Sequence, residues 1–294
     1  LLKIGNGDWN DGMDKIGVRG KGESVWLTWF FSHTAHRFSK LLDSLGRTDD
    51  AEKYEKAAAA VGKCADEAWD GKWYLRGYYD DGTPLGSSSQ VCCQIDSIAQ
   101  SFAALSPEAE KERINTALSS AVSRLLNKEH RFICLFDPPF ENSKPSPGYI
   151  ESYGPGFREN GGQYTHGAIW LVMALLRENR PDDAIELIEA LLPDNRDLVN
   201  YEAEPYVISA DISSNPDCLG KAGWSWYTGS AGWLYRVITE DLLGIKMQNG
   251  ELSFSPNLPS GWSDCEITVR LKNGTEKRVI INNNSVEEVT TPPD

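Results

Sequence analysis

The chain has 294 residues, of which 40% are apolar, and a formal net charge of −14 at pH 7. This length and apolar content are enough for a substantial buried core. The acidic balance, without clusters of Lys and Arg, excludes a nucleic acid partner and favours a neutral one. No apolar run approaches the roughly 20 residues that a membrane helix needs. Six cysteines without C-x-x-C spacing indicate reduced thiols, and therefore a cytoplasmic enzyme.

Apolar residues recur at three- and four-residue spacing in seven segments, which predicts seven helices. Residues that favour helix ends support this reading: Thr48 and Asp49 open the second segment, Pro107 lies in the first turn of the fourth, and Gly46 and Gly244 are expected terminators. The predicted helices cover residues 24–46, 49–69, 96–105, 107–127, 162–179, 181–192 and 224–243.

Long polar connections rich in Gly and Pro alternate with short ones and cover residues 70–95, 136–161 and 193–223. Loops of this length are uncommon in compact domains unless they build a site. We therefore expect helical hairpins with the long loops gathered at one end.

The pattern changes after Gly244. Alternation in residues 265–270 and the pairs Asn249-Gly250 and Asn273-Gly274 predict short strands and tight turns. The chain is predicted to be mainly α, with residues 1–244 forming a helical region and residues 245–294 a small β region.

The segment Gly7-Asp8-Trp9-Asn10-Asp11-Gly12 places two carboxylates and an indole within four residues. An acid beside an aromatic ring suits a site that holds a sugar and protonates a glycosidic oxygen. Because a domain rarely opens with its reactive loop, we expect the chain to be the C-terminal part of a longer protein.

Two later clusters favour an anion. Residues 158–166 combine an acid, amides and His166 at a predicted helix start, where free N–H groups attract negative charge. Taken alone, His166 is more often a structural residue. The small residues 228–232 let backbone N–H groups approach a ligand, although close helix packing is an equally common reason for them.

Other polar residues have simpler explanations. Glu202, Glu204 and Asp211 add carboxylates to the third long loop, where solvated surface acids are usual. The pair His33-x-x-His36 has the spacing of metal ligands, but no third ligand is near it in the sequence. We expect these histidines to be structural and the chain to hold no metal.

Four segments in this order resemble the C-terminal half of glycoside hydrolase family 94, over residues 5–260. That family contains inverting phosphorylases acting on cellobiose, chitobiose and 1,2-β-oligoglucans, and the phosphorylase-like domain of cyclic β-1,2-glucan synthase. Residues 19–26 and 69–87 look most like the β-1,2-glucan members. The four segments are GDWNDGMDKIG (7–17), RENGGQYTHGAIW (158–170), EPYVISAD (204–211) and GWSWYTGSAGWLYR (223–236).

The resemblance implies an (α/α)6 barrel, here an incomplete C-terminal part, followed by a β-sandwich-like layer. It implies reversible inverting phosphorolysis of β-linked gluco-oligosaccharides to α-glucose 1-phosphate. Phosphate is then the nucleophile, so only one catalytic carboxylate and no cofactor is needed.

The resemblance also assigns residues. Asp11 would be the proton donor, with His166, Thr228 and Gly229 binding phosphate. A further phosphate-contacting arginine would lie upstream of residue 1. Asp8 is either a structural or a sugar-contacting acid. The residues that would contact substrate are Asp8, Trp9, Asn10, Glu159, Gln163 and Asp211.

Four alternatives stay open: a cellobiose, cellodextrin or chitobiose phosphorylase; an inverting hydrolase with Glu159 or Glu204 activating water; a phosphorylase-like domain of a cyclic glucan synthase; and a non-catalytic carbohydrate-binding domain. The expected partners are a β-glucan oligosaccharide, inorganic phosphate, α-glucose 1-phosphate and the upstream part of the same protein. The oligomeric state is open, a homodimer being the commonest assembly.

Overall fold

The computed structural model describes residues 1–226, 228–248, 251–282 and 285–291. Within these ranges there are eight α-helices, seven of which confirm the predicted segments. The one-turn α7 lies in a predicted loop, and α8 continues as a π-helical segment, Val237–Leu242. The helices are α1 (Val25–Ser44), α2 (Thr48–Asp66), α3 (Ser97–Ala104), α4 (Lys111–Leu125), α5 (Thr165–Arg177), α6 (Pro181–Leu191), α7 (Leu198–Tyr201) and α8 (Thr228–Arg236).

The helices form two layers. α1, α3, α5 and α8 lie side by side in this order, while α2, α4 and α6 each pack against the helix that precedes them. Every residue of α3 is buried, and α5 buries all but His166 and Arg177. By contrast, α2 and α4 bury only a stripe of small and aliphatic residues, as expected for helices that cover an inner layer.

Both predicted glycine terminators are confirmed. Gly46 and Gly244 adopt φ angles of +73° and +67°, in the left-handed region that follows many helices. At Gly244 there is also no room for a side chain, because a Cβ would lie 1.9 Å from the carbonyl oxygen of Ser255.

Two predicted helix starts are wrong. Pro107 lies in a turn before α4, because the Glu110 side chain accepts the N–H groups of Glu112 and Arg113 and caps the helix there. The last helix begins at Thr228 instead of residue 224, since Trp226 has a φ of +61°, which is incompatible with a helix interior.

Short antiparallel strands tie the long loops together beside the helix starts. Four of them form a sheet in the order β1-β2-β3-β4, and the others pair as β5 with β8, β6 with β7, and β9 with β10. These strands are β1 (Leu2–Lys3), β2 (Glu23–Ser24), β3 (Gly77–Tyr78), β4 (Pro84–Leu85), β5 (Ile95–Asp96), β6 (Leu126–Asn127), β7 (Phe132–Ile133), β8 (Phe136–Asp137), β9 (Gln163–Tyr164) and β10 (Asp211–Ile212).

The predicted C-terminal strands are present as two antiparallel sheets, β11-β12 and β13-β14-β15. Gly274, with a φ of +84°, makes the predicted turn between β13 and β14, whereas Asn249-Gly250 lies outside the described residues. Ile267, Val279 and Ile281 form a separate small core. The strands are β11 (Ile245–Gln248), β12 (Glu251–Phe254), β13 (Asp264–Arg270), β14 (Glu276–Asn282) and β15 (Ser285–Thr291).

Neither predicted structural histidine of α1 is part of a metal-like cluster. His33 Nδ1 lies 2.8 Å from the carbonyl oxygen of Leu105. His36 is buried between two carboxylates, with Nδ1 2.9 Å from Glu55 and Nε2 2.7 Å from Glu108. His36 thus joins α1 to α2 and to the loop before α4. None of the described helices is long and apolar enough to cross a membrane.

The His36 contacts predict a pH-dependent stability. Burial lowers the pKa of His36, but Glu55 and Glu108 outweigh burial and raise it above its ordinary value of 6.5. A raised histidine pKa stabilises the fold fully below the unfolded-state pKa, and this contribution is lost as the pH rises through the folded-state pKa. We expect the unfolding temperature of the wild type to fall, relative to that of His36→Gln, between pH 6 and pH 9.

Thermal unfolding followed by circular dichroism at several pH values checks this. His130→Gln, at an exposed histidine, is the matched control and should follow the wild type throughout. Parallel curves for the wild type and His36→Gln would contradict the prediction.

Candidate active site

Residues 7–12 form a tight turn ahead of α1. Asp8 Oδ1 accepts the backbone N–H of Asn10 at 3.0 Å. Gly7 has a φ of +115°, and a Cβ there would lie 3.0 Å from the Cα of Asp11. This close approach requires glycine and fixes the position of the Asp11 backbone relative to Asp8.

Asp8 is buried and paired with an arginine that sequence reasoning had assigned no role. Two guanidinium nitrogens of Arg76 donate to the two Asp8 oxygens at 2.6 and 2.7 Å, and the Ser24 hydroxyl donates to Asp8 at 2.6 Å. The side chains of Asp8 and Arg76 have no exposed surface. Burial raises the pKa of Asp8, but the charge and hydrogen bonds of Arg76 outweigh it, so the pKa is lowered overall.

This geometry favours the structural alternative for Asp8 over a contact with sugar. Both its oxygens are bonded inside the protein, which makes it a structural carboxylate. Asn10, another expected sugar contact, is also buried, with 4% of its surface exposed. Neither residue offers its side chain to a ligand in this structure.

A second carboxylate faces the same guanidinium. Asp96 Oδ2 lies 3.2 Å from Arg76 Nε, and Asp96 caps α3 by accepting the N–H of Ile98 at 2.9 Å. Burial raises the pKa of Asp96 to about 6 although Arg76 lowers it. The signal for this site in the sequence was the single charge of Arg76 within the aromatic and apolar run 73–79.

Asp11, the predicted proton donor, is exposed. The hydroxyl of Tyr149 forms a hydrogen bond with its carboxylate, and this bond, with burial, raises the pKa of Tyr149 to about 12. The next residue, Gly12, offers its carbonyl to the N–H of Ile150 at 2.9 Å. The turn is therefore attached to residues 149–150, and Tyr149 is a site residue that sequence reasoning missed.

The second long loop brings Glu159 towards the same place. Glu159 interacts electrostatically with Tyr149 and pairs with Arg158, whose Nε lies 3.3 Å from its carboxylate. The Arg158 guanidinium also lies 5.1 Å from the ring centroid of Tyr153. With 15% of its side chain exposed, Glu159 is accessible to a ligand.

Gln163, a predicted substrate contact, is buried and bonded inside the protein. Its side-chain oxygen accepts the N–H of Ile133 at 3.0 Å, its amide donates to the Thr165 hydroxyl at 3.1 Å, and 1% of its surface is exposed. A buried amide with both ends bonded supports the backbone of neighbouring strands. The contact of Gln163 with substrate stays a prediction.

Asp211 joins the third long loop to the second. It lies opposite Tyr164 in the β9-β10 pair, and it accepts the N–H of Trp224 at 3.3 Å. Burial raises the pKa of Asp211 above its ordinary value, while the N–H of Trp224 and the charge of Arg158 lower it and the charge of Glu159 raises it further. At Gly223 a Cβ would lie 2.2 Å from an Asp211 oxygen, which explains the glycine there.

His166 lies in the first turn of α5 and contacts the turn of residues 7–12 through Trp9. The Trp9 ring centroid lies 5.7 Å from that of His166, 5.5 Å from Tyr164 and 4.9 Å from Trp170. His166 Nε2 is buried without a hydrogen-bond partner, and burial lowers its pKa below 6.5. An unpaired buried nitrogen is costly, which is typical of an atom that bonds a ligand.

Gly229, in the first turn of α8, lies beside that ring. A Cβ on Gly229 would be 3.9 Å from His166 Cε1, so no other group fills the space between them. The predicted partner Thr228 is the first residue of α8, but its side chain lies outside the described part of the chain. Free N–H groups at a helix start and an imidazole together form a site for an anion.

The predicted residues therefore fall into two linked groups at the starts of the inner helices. Asp11 is bonded to Tyr149, and Tyr149 and Asp211 each interact electrostatically with Glu159. Trp9 lies with His166, which lies beside Gly229. Asp8, Asn10 and Gln163 support these groups from below the surface. Among the described residues there is no group of three or more His, Cys, Asp or Glu side chains that could hold a metal ion.

Comparison with known proteins gives several curated relatives that span almost the whole chain, of which two are described. A cyclic beta-(1,2)-glucan synthase, NdvB, from Rhizobium meliloti (strain 1021) is 44% identical over 97% of this chain and 10% of its own length. A solabiose phosphorylase from Paenibacillus borealis is 30% identical over 98% of this chain and 38% of its own length. The chain thus spans well under half the length of these relatives.

A solved sialidase structure has the same fold, with a TM-score of 0.68 at 12% identity. The match covers 99% of this chain and 27% of the sialidase chain. At this identity the likeness concerns the fold alone. The model of the glycosyl hydrolase 94 superfamily catalytic domain matches residues 1–244, so the chain belongs to the glycosyl hydrolase 94 superfamily.

Proposed function

We propose that the protein catalyses reversible, inverting phosphorolysis of β-linked gluco-oligosaccharides and releases α-glucose 1-phosphate. The observation that carries this proposal is the His166 ring, which has an unpartnered Nε2, faces Gly229 at the start of α8 through Cε1 and Nδ1, and contacts Trp9. Trp9 is two residues from the exposed carboxylate of Asp11. An anion site next to an exposed acid suits a phosphorylase, in which phosphate replaces activated water.

The reaction follows from these positions. A phosphate oxygen attacks the anomeric carbon, the bond to the glycosidic oxygen breaks, and Asp11 gives its proton to that oxygen. Configuration inverts because attack and departure take place on opposite faces of the ring. Asp11 ends as a carboxylate, and in the synthetic direction it takes the proton of the acceptor hydroxyl.

The remaining residues would bind and orient. His166, neutral at pH 7 because burial lowers its pKa, offers a ring nitrogen to phosphate, and α8 offers its N–H groups. Glu159 and Asp211 would accept hydrogen bonds from sugar hydroxyls, and Trp9 would contact the ring. We propose that the Tyr149 hydroxyl holds the Asp11 carboxylate in place.

We propose that the two helical layers are part of an (α/α)6 barrel of residues 1–244, completed by upstream residues of the same protein, with residues 245–294 as a separate β region. A groove of about 480 Å³ between α1 and α8, lined by Phe30, Phe38 and Leu41 among others, supports this. These three side chains are 38%, 41% and 52% exposed. Six free thiols support a cytoplasmic location.

For the linkage we propose β-1,2, because the relative with 44% identity is a cyclic beta-(1,2)-glucan synthase, against 30% for the solabiose phosphorylase. The proposal covers both a separate enzyme and a domain within such a synthase.

Asp11→Asn, in the natural full-length protein, should lose phosphorolysis because an amide of the same shape has no proton to give. General acid catalysis contributes about 10²- to 10⁴-fold, so we expect a loss of that size with the fold retained. Release of α-glucose 1-phosphate from a β-gluco-oligosaccharide measures it. Asp217→Asn, at an exposed carboxylate, is the control, and near-normal turnover by Asp11→Asn would disprove the assignment.

The same assay separates phosphorolysis from hydrolysis. Cleavage by the wild type should require phosphate and yield α-glucose 1-phosphate. Release of free glucose at full rate in phosphate-free buffer would identify a hydrolase instead.

The anion site predicts a specific loss of phosphate affinity. A hydrogen bond to a charged group contributes about 1.5–3 kcal/mol, so His166→Ala should raise KM for phosphate by about 10- to 150-fold. Gly229→Ala should also raise it, because the methyl group would enter the space beside His166 without a clash in the fold. Initial rates at varied phosphate measure both.

Gly261→Ala is the matched control, since nothing lies within 4 Å of a Cβ at that position. The site assignment fails if both site variants keep the wild-type KM for phosphate.

The linkage is tested in the synthetic direction. With α-glucose 1-phosphate as donor and a panel of disaccharide acceptors, we expect extension of sophorose through β-1,2 bonds, identified by NMR of the products. Formation of cellobiose or cellodextrins would place the protein with the β-1,4-specific enzymes.

A further inference from the structure

The buried ion cluster beneath the turn of residues 7–12 is a polar feature that the proposed reaction does not use. Arg76 is fully buried and binds both oxygens of Asp8 at 2.6 and 2.7 Å, while its Nε faces Asp96 at 3.2 Å. None of these side chains is more than 1% exposed. Two carboxylates and one guanidinium are thus held together away from solvent.

The cluster joins parts of the chain that are distant in sequence. Ser24 donates its hydroxyl to Asp8 and also caps α1 by accepting the N–H of Leu27 at 2.9 Å. Asp96 caps α3. Arg76 itself is held by its backbone, which donates to Leu85 at 2.8 Å and accepts from Val25 at 3.1 Å.

Asp8 is connected to Asp11 by a turn with little freedom. The N–H of Asn10 is bonded to the Asp8 carboxylate, and Gly7 lies against the Asp11 backbone. On its other side the turn is held by Gly12 and Ile150. A shift of Asp8 therefore moves the backbone from which the Asp11 side chain projects.

We infer that Asp8 and Arg76 are positioning residues for the proton donor: together with Ser24 and Asp96 they fix the turn of Asp11 to the starts of α1 and α3. This inference rests on the proposed role of Asp11. It explains why the turn contains two carboxylates for a reaction that needs only one.

A merely structural ion pair would affect how much protein is folded, whereas a positioning role affects how fast each folded molecule reacts. The structural role and the positioning role also differ in which kinetic constant they change. The anion site of His166 and Gly229 lies on other elements, so phosphate binding should survive a displaced acid.

The test uses Asp8→Asn in the natural full-length protein, which keeps the shape and removes the charge. A misplacement of about 1 Å costs about 100-fold in rate, so we expect kcat for phosphorolysis to fall by about 100-fold. KM for phosphate should stay within about threefold of the wild type. The folded fraction is measured by near-ultraviolet circular dichroism, and kcat is expressed per folded molecule.

His36→Gln is the matched control. It breaks a different buried ion pair, between α1 and the loop before α4 and outside the site, and should leave kcat per folded molecule unchanged. A wild-type kcat in folded Asp8→Asn overturns the inference.

Ser24→Ala covers the case in which Asp8→Asn does not fold, because it removes one hydrogen bond to Asp8 and keeps every charge. We expect kcat to fall by about 5- to 10-fold at constant KM for phosphate, and an unchanged kcat overturns the inference. The proposed function fails separately, through an active Asp11→Asn. An inactive Asp11→Asn with a normal Asp8→Asn would reject the positioning role alone.

Discussion

The organisation of the site depends on neutralising one buried guanidinium. Arg76 has no exposed surface, and an unpaired charge inside a protein is strongly unfavourable. Asp8 and Asp96 supply the opposite charge, and they come from the reactive turn and from the cap of α3. Removing one partner of such a pair costs about 3–5 kcal/mol, so the turn and both helix starts are held by a single shared constraint.

The direction in which the inner helices run determines which groups are exposed at the site. The inner helices present their N-terminal ends to the long loops, so the free N–H groups and partial positive charge of α8 lie beside His166. This local arrangement matters because the chain carries a net charge of −14. Under the proposed function, phosphate would be bound by short-range hydrogen bonds, since the overall charge repels it.

Much of this could be predicted from the sequence, and the exceptions have physical causes. Periodicity located seven helices, and Gly46 and Gly244 lie after the ends of two of them as expected. Both features could be predicted because they depend on local properties of the chain. The start of α4 was missed because the Glu110 side chain competes with Pro107 as a helix signal. The burial of Asp8 and Gln163 depends on partners 68 and 30 residues away, which spacing within a motif does not reveal. Asp11, Trp9, His166 and Gly229 could be named from motifs, but their proximity required the fold.

The Ser24 hydroxyl connects the stability of α1 to the support of Asp8. The same hydroxyl caps α1 and bonds Asp8, so loss of the first turn of α1 also removes a support of the acid. If Asp11 is the proton donor, a molecule damaged at this end would lose its activity before it loses most of its structure. The catalytic rate would then be a sensitive measure of local order at the start of α1.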